Sequence, residues 1–427
     1  MRNSQETVAA THSDLPDECW ECIFKFIAKD DLNSLSLVSK QFFSIIDRLR
    51  FSIFVKNGTL PFLGRLLERF TNLKSLSLSS LNDNHDLNNL LCTISCFPLT
   101  KLTSGVGSFP FPSNGLRVFS QKITTLTSFN CSHCFLRNSD LSLIAECFPL
   151  LEKLNISNPL MLMFCYPPVT NTPTNFMDGM YSLLSKCRCI QHLNLKYARF
   201  LNDQHVAELS LFLAGLKSIN LSSCNHLTES ALFSLVRSCP LLSDIKMERT
   251  NIGKESAVSS NSLRDFVVVN PQLKSLCLAR CEHLKDENII LFASIFPTLE
   301  LLDLRFSDQI SEGICQVLRR CYKITHLYLS GCSRVKLHGI NFLVPKLEVL
   351  YLSNTEVDDE TLRVISKNCC GLLQLKLENC DHLTEEGAKH VVENCTQLRE
   401  MYLRGCHLSD EIRELFSRRG CLLYMYI

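Results

Sequence analysis

The fold is decided by the stretch KLEVLYLSNTEVDDETLRVISKNCCGLLQLKLENCDHLTEEGAKHVVENCTQLREMYLRGC, residues 346–406. It contains three phased triplets: Leu347, Leu350, Leu352; Leu372, Leu375, Leu377; and Leu398, Met401, Leu403. The last two members of each triplet are two residues apart, so they share one face of a β-strand. A turn follows, then a stretch with helical spacing, of which Asp359-Glu-Thr-Leu-Arg-Val-Ile is one example. Such a unit has one apolar face and nothing to bury it on except the next copy of itself. Working outward, clear copies also begin at Leu151, Ile190, Leu216, Leu242, Leu273, Leu299 and Ile324. Weaker copies begin at Leu73, Leu99, Leu126 and Leu422, giving 14 starts. Eleven of the 13 intervals are 23–27 residues long, the exceptions being 39 (Leu151 to Ile190) and 31 (Leu242 to Leu273).

Stacked units of this kind predict an α/β leucine-rich-repeat solenoid, a horseshoe with a parallel inner sheet and outer helices. At about 4.8 Å per strand, 14 strands give an inner arc of roughly 65 Å. Thr228, Ser311, Asp358, Thr384 and Ser409 fall where a helix N-cap is wanted, because a side-chain oxygen there satisfies an orphan N–H. The 23 cysteines are sorted by the same phase. Cys134, Cys224, Cys281, Cys332, Cys380 and Cys406 lie eight residues after a start. Cys96, Cys187, Cys239, Cys321, Cys369 and Cys395 lie three before one. Both positions predict a small buried hydrophobe rather than a redox group.

Composition narrows the function classes. With 44 basic and 43 acidic residues, nothing in the whole-chain charge favours nucleic acid or an anionic membrane. No apolar run approaches the roughly 18 residues of a membrane span. The N-terminal MRNSQETVAATHSDLP lacks the apolar segment of a secretory signal, so a reduced, intracellular, soluble chain is expected. Two CxxC spacings, Cys19–Cys22 and Cys131–Cys134, are more than a hundred residues apart. The second falls in repeat core positions, so no metal site is expected. Of the five N-x-S/T sequons, those at Asn130, Asn155 and Asn220 fall on predicted inner strands, which argues against glycosylation.

Residues 14–55 do not follow the repeat. Leu15-Pro16 precedes the acids Asp17 and Glu18, as at a helix start. Trp20, Ile23, Phe24 and Ile27 then make an apolar stripe, and a second helical stretch carries Leu32, Leu35 and Val38. The order L-P-x-E (Leu15, Pro16, Glu18), I-F (Ile23, Phe24), D-L-x-x-L-x-L-V-x-K (Asp31, Leu32, Leu35, Leu37, Val38, Lys40) and an aromatic (Phe42) resembles an F-box. Ser39 and Phe42 depart from the usual Cys and Trp. Joined to cysteine-containing repeats, the whole resembles the F-box/leucine-rich-repeat proteins, especially their plant branch. The resemblance implies three segments: a disordered 1–13, an F-box at 14–55, and a solenoid at 56–427 with a Pro-rich insertion at 158–178.

The resemblance further implies a substrate receptor of a Skp–cullin–F-box ubiquitin ligase. Such a chain has no catalytic residue of its own and binds a Skp-type adaptor, and through it a cullin and a RING subunit. By that likeness the adaptor contacts fall to Leu15, Pro16, Ile23, Leu32, Leu35, Val38 and Lys40. The alternatives are a small-molecule-gated receptor resembling the auxin and jasmonate receptors, and a repeat scaffold with no ligase role. An inositol phosphate is disfavoured, because the inner face mixes acids and bases, and no other cofactor is expected. The protein substrate is expected on the concave face. The residue four after each start runs from small and amide side chains (Asn130, Asn155, Asn194, Asn220) to aromatic and charged ones. The residue six after a start adds Arg305 and Arg404. Arg305, Tyr328, Tyr351, Lys376, Tyr402 and Arg404 are therefore the candidate substrate residues, since Tyr and Arg are enriched in binding hot spots. Nucleus and cytoplasm are both compatible with the sequence, which has no strong basic targeting run.

Overall fold

The computed structural model describes residues 15–81, 87–94, 98–103, 111–159, 173–254, 269–405 and 408–426. Residues 1–13, most of the 158–178 insertion, Cys96 and Cys406 lie outside that set. The chain divides into two compact units, with the main boundary between residues 126 and 127.

The first unit begins with three helices, α1 (Asp17–Phe24), α2 (Lys29–Leu35) and α3 (Lys40–Arg48). Their small core is Phe24, Ile45 and Ile46, with Trp20, Ile27, Leu32, Leu35, Phe42 and Leu49 packed around it. Trp20 and Phe24 each meet Phe42, with ring centroids 4.7 and 5.0 Å apart. Because so short a unit buries little, polar ties matter. Arg48 on α3 bonds Asp17 at 2.7 Å and Glu21 at 3.0 Å on α1. Ser39 caps α3 by accepting from the Phe42 N–H. Gln41 donates to Asp17, and this bond and that of Arg48 hold the Asp17 carboxyl below its usual range. The same unit then carries three parallel strands, β1 (Ser52–Lys56), β2 (Ser75–Ser80) and β3 (Lys101–Thr103).

The second unit carries twelve more: β4 (Ser128–Asn130), β5 (Lys153–Asn155), β6 (His192–Asn194), β7 (Ser218–Asn220), β8 (Asp244–Lys246), β9 (Ser275–Cys277), β10 (Leu301–Asp303), β11 (His326–Tyr328), β12 (Val349–Tyr351), β13 (Gln374–Glu378), β14 (Glu400–Arg404) and β15 (Leu422–Tyr426). Consecutive strands from β4 to β15 pair in parallel, in a register that advances one repeat at a time. This is the leucine-rich-repeat solenoid. Its three core slots are sealed: Leu347, Leu350 and Leu352, and Leu372, Leu375 and Leu377, are all 1% exposed or less.

Neighbouring repeats are also bonded through their helix starts. Asp203 accepts from both the N–H (2.9 Å) and the hydroxyl (2.6 Å) of Thr228 in the next repeat. Asp359 does the same with Thr384 at 2.9 and 2.6 Å. Thr228, Asp358, Thr384 and Ser409 are N-caps as predicted. Ser311 is not: its hydroxyl is taken up by Asp286, and the helix begins at Gly313 with Glu312 before it.

The cysteine phases have a second physical reason beyond size. The thiols eight residues after a start donate back to a core-slot carbonyl of the preceding repeat: Cys281 to Met247 (3.3 Å), Cys332 to Leu304 (3.1 Å), Cys380 to Leu352 (3.2 Å). Those three before a start donate to the equivalent residue one repeat back, Cys187 to Phe148 (3.6 Å) and Cys321 to Phe296 (3.4 Å). A thiol thus satisfies a buried carbonyl that an alanine would leave bare. Burial pushes Cys224, Cys239, Cys332, Cys369 and Cys395 up to about 12, so these groups are protonated and inert.

Both terminal strands depart from the sequence pattern. β1 has Ile53 and Val55 in buried slots but Arg50 in the first one, so the L-x-x-L-x-L pattern misses it. At the other end, Glu400 pairs with Leu422 and Tyr402 with Tyr424. The last repeat therefore starts at Gly420 rather than at Leu422, which is 58% exposed.

Candidate functional site

Two surfaces are built from the predicted residues, one in each unit. On the three-helix unit, the apolar side chains divide by burial. Leu32 and Leu35 are half-buried against Phe24, Ile45 and Ile46, and so serve the unit's own core. Leu15, Pro16, Ile23, Val38 and Lys40 face solvent, with Val38 66% exposed. Two further residues belong with them. Phe26, in the turn after α1, is 92% exposed, and Leu37, between α2 and α3, is 85% exposed. Large apolar side chains this open on a forty-residue unit form an exposed apolar patch and no part of its core. Phe26 was not legible as a site residue, because it falls beside the α1 stripe rather than within it.

The second surface lies on the inner face of β10–β15. The pleat buries alternate residues of each strand, so that in β13 Leu375 and Leu377 go inward while Gln374, Lys376 and Glu378 stand outward. Asp303 is buried at 3% exposure and accepts from the Arg305 backbone N–H and guanidinium, the closest contact being 2.6 Å. The Arg305 guanidinium lies 5.6 Å from the Tyr328 ring centre. Tyr328 meets Tyr351, with centroids 4.8 Å apart. Lys376 places its ammonium between two rings, 4.5 Å from Tyr351 and 4.4 Å from Tyr402. Tyr402 stacks on Tyr424 at 4.4 Å, with planes 12° apart.

The result is one contact-linked ladder from Arg305, two residues past the end of β10, across the five strands β11–β15: Arg305, Tyr328, Tyr351, Lys376, Tyr402, Tyr424. Parallel pairing sets adjacent strands 4.7–4.9 Å apart, which is the spacing at which rings and cations meet. The phenol of Tyr351 donates to Gln374 at 2.7 Å, and that of Tyr402 to Glu400 at 3.0 Å. These bonds hold both rings in place, and both residues stay half-exposed. Burial pushes the Tyr328 phenol up, and its neighbour Tyr351 adds to the shift. Arg404 stands further along β14, exposed and outside the contact chain. Tyr424 was missed because the last repeat was phased on Leu422, which put Tyr426 in its place.

In the amino-terminal half of this unit the equivalent positions do something else. Asn130, Asn155, Asn194 and Asn220 each turn the side-chain oxygen back to accept, at 3.0 Å, from the N–H two residues on. They are turn residues. Among donors that could hold a metal, Glu248, Cys277 and Asp303 place their atoms within 4.8 Å of one another. Burial, with Asp303 nearby, pushes the Cys277 thiol up to about 12, and Asp303 already accepts from Arg305. Among the described residues no helix is long and apolar enough to cross a membrane.

A family model for the F-box domain matches residues 12–54. The chain is 23% identical, over 392 residues, to the F-box protein FBX14 of Arabidopsis thaliana, covering 89% of this chain and 53% of that protein. It therefore spans about half the length of that curated relative. Among solved structures, the internalin InlF of Listeria monocytogenes is similar over 93% of this chain and 94% of its own, with a TM-score of 0.51 and 13% identity. The TLR13–ssRNA13 complex is similar over 88% of this chain and 56% of that one, with a TM-score of 0.52 and 16% identity. At such identities the likeness is one of fold, a leucine-rich-repeat solenoid.

Proposed function

We propose that this chain, an F-box domain joined to a leucine-rich-repeat solenoid, is the substrate-recognition subunit of a Skp–cullin–F-box ubiquitin ligase. In this reading the chain carries no catalytic group. It brings a protein substrate to the ligase and raises the effective concentration of a substrate lysine at the ubiquitin-charged enzyme. The adaptor docks on the exposed apolar side chains of the three-helix unit: Leu15, Pro16, Ile23, Phe26, Leu37 and Val38. The substrate docks on the ladder from Arg305 to Tyr424.

The observation that carries the reading is the pairing of these two surfaces on one chain. An F-box match coincides with solvent-facing Phe26, Leu37 and Val38, and a separate unit presents aromatic and cationic side chains already fixed by their neighbours. Preformed ring faces bind at low entropic cost, because little side-chain freedom remains to be lost. The nuclear or cytoplasmic placement of such ligases is part of the same proposal.

The test is recovery of a Skp-type adaptor with the full chain, compared with Leu15→Ala/Pro16→Ala and with Val38→Asp. All three positions are exposed, so the fold is expected to survive. Adaptor recovery should fall at least tenfold in both variants. Equal recovery, or none from the wild type, would remove the ligase role and leave a repeat scaffold.

A further inference from the structure

The repeat phases account for most of the thiols but leave two unexplained. Among the described residues only Cys19, Cys22, Cys189 and Cys370 are exposed. Cys189 and Cys370 lie on separate repeats of the solenoid. Cys19 and Cys22 share one helix, α1, and belong to neither repeat phase. Exposed thiols are the ones open to chemistry, whereas buried ones are inert.

Their place on that helix is specific. Residues three and four apart stack on one helical face. On α1 this puts Cys19, Cys22 and Ile23 together, with Leu15 before the helix and Phe26 after it. All five are exposed, Leu15 at 44%, Ile23 at 43% and Phe26 at 92%. The opposite side sends Trp20, Phe24 and Ile27 to the small core. Arg48 holds the flank through Asp17 and Glu21. The two thiols therefore stand in the middle of the apolar patch assigned to the adaptor.

We propose that Cys19 and Cys22 form a reversible dithiol–disulfide site that a peroxide closes, and that closure withdraws this patch from the adaptor. Peroxide oxidises one thiol to a sulfenic acid, its O–O bond breaking with release of water. The second thiol displaces the sulfenic oxygen, which leaves as another water while the S–S bond forms. The two sulfurs together give up two electrons and two protons, and the peroxide takes up all of them.

Closure has a geometric consequence. Cβ atoms three residues apart on a helix are about 5–6 Å apart, and a disulfide holds them at about 3.5–4.5 Å. The bond therefore draws in the exposed face of α1 by roughly 1–2 Å. The inner face is not free to follow, because Trp20 and Phe24 pack on Phe42 and Arg48 anchors Asp17 and Glu21. The helix must distort on its outer side, where Leu15, Ile23 and Phe26 stand. By linkage, adaptor bound to the reduced face opposes closure. Disulfide formation itself needs no adaptor; only its effect rests on the substrate-receptor reading.

To test it, the full chain is treated with hydrogen peroxide, the peroxide is removed with catalase, and half of each sample is reduced with dithiothreitol. Trypsin releases residues 3–25, which hold Cys19 and Cys22 and no other cysteine. After peroxide this peptide should refuse iodoacetamide and lose two hydrogens in mass, and dithiothreitol should reverse both changes. Recovery of a Skp-type adaptor on the same samples should fall about tenfold, the loss that withdrawing one or two central apolar contacts brings, and should return on reduction. In Cys19→Ser/Cys22→Ser, recovery before and after peroxide should be equal, whatever its starting value. Free thiols in the peptide after peroxide overturn the proposal. So does a disulfide that leaves adaptor recovery unchanged, or a serine variant that responds to peroxide as the wild type does. A reduced chain that recovers no adaptor overturns the ligase reading, and the regulatory claim with it. The peptide mass tells that failure apart, since it reports the disulfide without an adaptor.

Discussion

The amino- and carboxy-terminal halves of the second unit share one backbone design and use the same outward position in opposite ways. In β4–β7 that position is Asn, and each amide oxygen accepts from its own chain two residues later. In β11–β15 it is Tyr or Lys, and the side chains touch one another across strands. The first half therefore spends its polar groups on turn geometry and offers a partner little beyond small amides. The second half holds its rings by edge bonds to Gln374 and Glu400 and by contacts with one another and with Lys376, and leaves Tyr351 and Tyr402 half-exposed. A residue's place in the repeat sets which way it points. Whether it then serves the fold or a partner depends on whether its polar atoms are satisfied within the chain.

If the halves differ only on this face, their cores should be equivalent. Ile219→Ala and Leu350→Ala, both nearly fully buried, should each cost about 2–5 kcal/mol of unfolding free energy in urea melts. A cost confined to one half would mean that the halves differ in architecture as well as in surface. The ladder comes next. Tyr351→Ala and Tyr402→Ala should each weaken substrate capture by about 2 kcal/mol, some thirtyfold. The accompanying loss of stability should be about 1 kcal/mol, from the lost ring contacts.

Asn220→Ala should show the reverse signature. It strands the N–H of Ser222, a residue 2% exposed, at about 1–3 kcal/mol of stability, with capture unchanged. The smallest effect concerns pH. Burial raises the Asp358 carboxyl, but bonds from His338 (2.9 Å) and Thr361 outweigh it and bring it from 3.8 down to about 2. A lowered folded value stabilises above pH 3.8 and loses that contribution as pH falls toward 2. With the pair partly solvent-exposed, the effect should stay under about 1 kcal/mol. Asp358→Asn should flatten the acid limb of the melting profile between those pH values.

Legibility in the sequence followed neighbours. Interior repeats were readable because a core slot enclosed on both sides calls for an apolar residue, and Ser104 is the one plainly polar residue in those slots. The end strands were not. β1 has Arg50 in its first slot, lying over Phe70 and bonded to Asn33. β15 has Gly420 in that slot and an exposed leucine two residues later. An edge repeat lacks a partner on one side, and its first slot need not be leucine. That slip of two residues hid Tyr424. The asparagines were visible as amides, but the direction of their oxygens is a matter of turn geometry that spacing does not encode. Similarly, the apolar stripe of α1 and α2 did not distinguish Leu32 and Leu35, which face inward, from Leu37, which faces out.

The central claim is that one surface serves the ligase and another the substrate. Quantitative affinity capture from cells, comparing wild type with Leu15→Ala/Pro16→Ala and with Tyr351→Ala/Tyr402→Ala, tests it most directly. The account predicts a double dissociation. The first variant loses the adaptor and keeps the substrate, which accumulates on it undegraded; the second keeps the adaptor and loses the substrate. Joint loss of both partners in either folded variant, or retention of both in the ladder variant, would contradict it.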